Sequence, residues 1–127
     1  MSWIRKFTGS QGALEWAGVE PEAYDDLDVQ GVSVRWLIGR HPETANFALR
    51  YFEIQPGSKT SLDRHVHDHG VFVLRGRGQV LLGREVREIG FGDAVYVSSY
   101  EIHQFTCRGD EPLGFLCAMP APGRAES

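Results

Sequence analysis

Asp63-Arg64-His65-Val66-His67-Asp68-His69-Gly70-Val71-Phe72-Val73-Leu74-Arg75-Gly76-Arg77-Gly78 is the stretch that decides the fold. A chain with 5 histidines crowds His65, His67 and His69 into one short run. An extended chain points every second side chain the same way, so the run predicts Asp63, His65, His67 and His69 on one face. Val71 and Val73 continue that face, Phe72 and Leu74 take the opposite one, and Gly76-Arg77-Gly78 supplies a turn. Potential ligands on a strand that runs on into apolar residues are what a binding cavity inside a β-structure requires.

The rest of the chain carries the same two-residue period. With 15 Gly and 6 Pro as punctuation, strands are predicted at Val32–Ile38, Phe47–Ile54, Val71–Leu74, Gln79–Leu82, Ala94–Val97, Ile102–Cys107 and Leu113–Ala118. Short strands separated by turn signals indicate an all-β sandwich or barrel. Ser10 to Ala23 is the one stretch with helical character, shortened by Gly12, Gly18 and Pro21. A length of 127 residues fits one domain. Residues 1–30 are expected to form an N-terminal extension packing on the barrel through Trp3, Trp16 and Trp36, residues 31–119 the barrel, and residues 120–127 a flexible tail.

Composition narrows the partners. Hydrophobic residues make up 42% and charged residues 24%, as in soluble globular domains. The formal net charge of -4, with no basic run, argues against nucleic acid and anionic membranes. Apolar runs fall far short of a bilayer span, and the Met1-Ser-Trp-Ile-Arg start offers no signal-peptide core, so a cytoplasmic location is expected. Cys107 and Cys117, the 2 cysteines, make no disulfide framework.

Imidazole and carboxylate together suit one divalent transition metal (Fe, Mn, Ni, Cu or Zn), and the absence of nearby thiolates argues against a closed structural zinc site. The segment from Pro56-Gly57 through the three histidines to the Gly76–Gly78 turn resembles the first motif of the cupin superfamily. Gly92-Asp93-Ala94-Val95-Tyr96-Val97 followed by His103-Gln104-Phe105 is similar to the second. The resemblance implies a small single-domain metal-binding cupin, a jelly-roll β-barrel, with His65, His67, His69 and His103 as metal ligands. It leaves one alternative open. Counting back from Gly76 puts His69 where many cupins carry a glutamate ligand and Asp63 and His65 where they carry paired histidines, so that Asp63 replaces His67.

Phe47, Tyr51, Tyr96, Phe105 and Cys107 are candidates for a substrate pocket, since each sits at an alternate position of a predicted strand; no catalytic acid or base stands out. Arg75, Arg77, Arg84 and Arg87, interleaved with Glu85 and Glu88, read as a solvated hairpin, and His41 as a loop residue. Three or four protein ligands leave metal positions open for a small oxygenated or anionic substrate. A metal-dependent dioxygenase is therefore the first functional expectation. The alternatives are an isomerase or lyase, a binding or sensing module that turns nothing over, and a storage or scaffolding role. Phe72 and Leu74, facing away from the histidines, predict a homodimer that covers them.

Overall fold

A computed structural model describes residues 2–24 and 30–121. The described residues form nine strands: β1 (Glu22–Ala23), β2 (Val32–Ile38), β3 (Phe47–Ile54), β4 (His69–Arg75), β5 (Arg77–Leu82), β6 (Glu85–Gly90), β7 (Ala94–Val97), β8 (His103–Cys107) and β9 (Leu113–Pro120). They pair antiparallel in one sheet of order β1-β2-β3-β9-β4-β7 and a second of order β6-β5-β8. The architecture is all-β, a single-domain jelly-roll barrel. No helix among the described residues is long and apolar enough to cross a membrane.

Period-two patterning fills the space between the sheets. Phe52 and Ile54 of β3, Val71 and Val73 of β4, Leu113, Phe115 and Cys117 of β9, Val80 of β5 and Phe105 and Cys107 of β8 form one buried cluster. Phe115 stacks between Phe52, at 5.4 Å, and Phe105, at 4.6 Å, so aromatic contact ties the large sheet to the small one. Gly76 holds the β4–β5 turn at φ 74°, where a Cβ would come 2.3 Å from the carbonyl oxygen of Pro112; glycine is required there.

The N-terminal segment corrects the helical expectation for Ser10 to Ala23. It is extended, with isolated bridges Phe7↔Trp16 and Ser10↔Ala13 and the short strand β1 on the edge of β2. Gly12, Gly18 at φ 75° and Pro21 deny the segment an uninterrupted helical turn. Trp16 lies against the ring of Tyr51, centroids 5.4 Å apart, on the outer face of the large sheet, whereas Trp36 belongs to β2 itself. At the other end, Pro120 closes β9 and Ala121 is buried; the rest of the expected tail lies outside the described residues.

Strand β6 was hidden in the charged hairpin. Its residues Glu85 to Glu88 are all exposed, so no apolar face signals a strand, and pairing with β5 alone defines it.

Candidate metal centre

His69 opens β4 and His103 opens β8, while His65 and His67 stand in the connection that leads into β4. This differs from the expectation of one extended strand from Asp63 to His69. The connection is stapled to the free edge of β8 by backbone hydrogen bonds: Thr60 N–H to Phe105 O (2.9 Å), Asp63 N–H to His103 O (3.0 Å) and His103 N–H to Asp63 O (2.9 Å). The Thr60 hydroxyl oxygen also accepts from the N–H of Phe105 at 3.0 Å. These bonds, not side-chain alternation, turn the histidines inward.

The four rings nest together. Centroids lie 5.1 Å apart for His65 and His67, 4.7 Å for His67 and His69, 5.2 Å for His65 and His69, and 5.3 Å and 5.2 Å from His103 to His65 and His69. His65, His69 and His103 each offer a ligand atom within 4.8 Å of the other two. His67 stacks on two of them without joining that group. Asp63 accepts from the Ser61 hydroxyl at 2.8 Å and the Tyr24 hydroxyl at 3.0 Å.

Protonation favours coordination. The Glu101 carbonyl, which can only accept, lies 3.0 Å from Nδ1 of His103, an arrangement that selects the tautomer of the neutral ring in which Nδ1 donates and Nε2 offers its lone pair. Nδ1 of His69 faces the Sγ of Cys117 at 3.6 Å. Nε2 of His69 is buried with no hydrogen-bond partner among the described residues. An unsatisfied buried group of this kind costs about 1–3 kcal/mol, and a bound cation would remove that cost. Burial, reinforced by the neighbouring His67, His103 and His65, pushes the pKa of His69 down to about 3. Burial also lowers that of His65, against the pull of Asp63. Neutral imidazoles with inward lone pairs fit a divalent transition metal.

The rings open into a cavity of about 160 Å³. Of the five residues expected to line a pocket, Phe105 does so. Phe47, Tyr51, Tyr96 and Cys107 do not. The cavity face of β3 is that of Arg50 and Phe52, so alternation sends Phe47 to solvent, 52% exposed, and Tyr51 to the outer face. Tyr96 is exposed and donates to Asp68 at 2.8 Å. Cys107 is buried at the far end of β8, its thiol donating to the Glu111 carbonyl.

Sequence reasoning missed Tyr24, Arg50, Cys117 and Met119, all in the cavity wall. The alternation Leu113, Phe115, Cys117 was a usable signal for the thiol. Nothing local in the sequence marked Arg50, since an arginine within an apolar strand reads as the solvent face.

The family model of the cupin domain matches residues 50–119. The chain is 38% identical over 120 residues to the 1-methylthio-D-xylulose 5-phosphate methylsulfurylase of Rhodospirillum rubrum, spanning 92% of this chain and 76% of that protein. The crystal structure of a cupin 2 conserved barrel domain protein from Rhodopseudomonas palustris superposes with a TM-score of 0.78 at 33% identity, covering 94% of this chain and 81% of that one. A polyketide cyclase from Streptomyces resistomycificus superposes with a TM-score of 0.73 at 27% identity, covering 81% and 74%. Motif order, barrel topology, histidine cluster and family match coincide, and the chain belongs to the cupin domain family.

Proposed function

We propose that this chain is a metal-dependent enzyme acting on a small oxygenated, anionic substrate, with cleavage of a carbon–sulfur bond beside a carbonyl as its reaction: a thiol co-substrate takes up the methylthio group as a mixed disulfide, and the carbon takes the thiol's proton. The observation that carries the reading is the inward trio His65, His69 and His103 in the wall of a cavity that also presents a thiol, Cys117. A divalent transition metal held by the trio, with His67 or Asp63 completing the set, supplies Lewis acidity toward substrate oxygens. The chain's own groups orient the substrate: Phe52, Phe105 and Phe115 give an apolar floor that excludes water, and Cys117 places sulfur beside His69. The relative from Rhodospirillum rubrum, named for a methylthio sugar phosphate, supports sulfur chemistry over the dioxygenation expected from the motifs. Dioxygenation remains the second reading, favoured by an all-histidine trio that leaves metal positions open.

The discriminating experiment assays the metal-loaded protein anaerobically on a methylthio-substituted ketose phosphate together with a small-molecule thiol, and separately by oxygen uptake on catechols, flavonols, diketones and thiols. Anaerobic release of the methylthio group, lost in Cys117→Ser with metal content intact, supports the proposal. Oxygen-dependent turnover alone would replace it with the dioxygenase. Tight binding of such ligands without turnover would make the chain a binding module.

A further inference from the structure

Arg50 projects from β3 into the cavity wall, and its surroundings are unusual for a partly buried cation. Its guanidinium lies over the rings of Phe52, at 4.7 Å, and Trp36, at 5.2 Å. Its hydrogen bonds run to sulfur: Nη2 donates to Sδ of Met119 at 3.1 Å and Sγ of Cys117 at 3.7 Å. Nε is buried with no hydrogen-bond partner, and no carboxylate among the described residues forms an ion pair with Arg50. Thioether and thiol are weak acceptors, so the fork has strong donors left over, and aromatic faces hold it in place.

Position gives this cation a purpose. The sulfur of Cys117 touches both Arg50, at 3.7 Å, and His69, at 3.6 Å. On its other side Arg50 borders a second cavity, of about 510 Å³, which it and Tyr24 share with the first. That second cavity presents Arg40, His41 and Trp36, and its one acid, Glu22, is already paired with Arg40. Ligand sites usually span about 300–1,000 Å³, so the 160 Å³ at the histidines accommodates the reacting end of a substrate and leaves its remainder to pass Arg50.

We infer that Arg50 anchors a phosphate monoester group of the substrate, holding it at the junction of the two cavities while the oxygenated end reaches the histidines. The inference rests on the metal-dependent reading above and adds to it the residue that selects the anion. Charge decides for phosphate over carboxylate. Neutral imidazoles leave the full +2 of a metal, Arg50 adds a further positive charge, and Asp63, the one acid lining the histidine cavity, already accepts from two hydroxyls. A dianion with three acceptor oxygens matches this excess and the bidentate fork better than a monoanion.

The test is calorimetric titration of the full-length, Mn(II)-loaded chain with glycerol 3-phosphate, glycerol and glycerate, repeated on Arg50→Gln and Arg50→Lys. The phosphate ester is expected to bind about tenfold or more tightly than either of the others. Arg50→Gln should weaken it by about 10- to 100-fold, the range for losing charge-assisted hydrogen bonds. Arg50→Lys should keep part of the preference, and bound manganese should be equal in all three proteins. Equal binding of the three ligands by the wild type, a preference unchanged in Arg50→Gln, or glycerate matching the phosphate ester would each overturn the assignment. Failure to take up metal would instead count against the metal-dependent reading. The same titrations on the metal-free full-length chain would then decide the role of Arg50, because the guanidinium needs no metal to hold phosphate.

Discussion

Lowering the pH should destabilise the metal-free protein through His69. Its pKa falls from 6.5 to about 3 on folding because burial disfavours the imidazolium. Between these two values the unfolded chain binds a proton that the folded chain does not, so stability is full above pH 6.5 and is lost as pH falls toward 3. At pH 5 the loss from this residue alone is about 2 kcal/mol, at 1.36 kcal/mol per pH unit below 6.5. His65, lowered in the same direction, adds to it. Such a loss corresponds to a drop in Tm of roughly 5–10 °C for a domain of this size. The assay is denaturant unfolding of the metal-free protein at pH 7.5 and 5.0, for the wild type and for His69→Gln, whose side chain does not titrate. The difference between the two proteins isolates His69 from the other histidines and the carboxylates. Metal should oppose the loss, since it and the proton compete for the same lone pair. Equal pH dependence in the wild type and His69→Gln, or a wild type no less stable at pH 5.0, would refute the reasoning.

Metal analysis should find about one transition metal per chain, with His65→Ala and His103→Ala each sharply reducing it; unchanged content in both would remove the site. Between the candidates for a fourth ligand, His67→Ala is expected to weaken metal binding about tenfold, whereas Asp63→Ala, whose carboxylate is engaged by Ser61 and Tyr24, should retain most of it; the reverse result in a metal competition titration would assign Asp63. Gly114→Ala should destabilise the fold by about 1–3 kcal/mol through overpacking, because a Cβ there would lie 2.0 Å from the Tyr51 hydroxyl oxygen; denaturant unfolding would read it. Light scattering should give a dimer that covers Phe72, 44% exposed on the outer face of β4, and a monomer across a wide concentration range would refute this.

The strands were legible because period-two alternation and glycine turns are local properties: each predicted strand from Val32–Ile38 to Leu113–Ala118 has its counterpart in β2 to β9, and β6, with no apolar face, and the two-residue β1 escaped. The histidines were legible as a group because four of them lie in two recognisable motifs. Which face of a strand looks into the cavity was not local. Phe52 and Tyr51 are both buried, one inside the barrel and one beneath Trp16, and alternation separates their faces without saying which is the interior. The placement of Arg50 and Cys117 in the cavity wall follows from β3 pairing with β9, where they stand opposite each other. The convergence of His65 on His103 follows from hydrogen bonds between a connecting loop and a strand distant in sequence. The sequence by itself determined the period of the strands and the metal-binding character of the histidines. Only the tertiary structure decided which residues share the cavity with them, because long-range strand pairing, not local preference, selects the inner face.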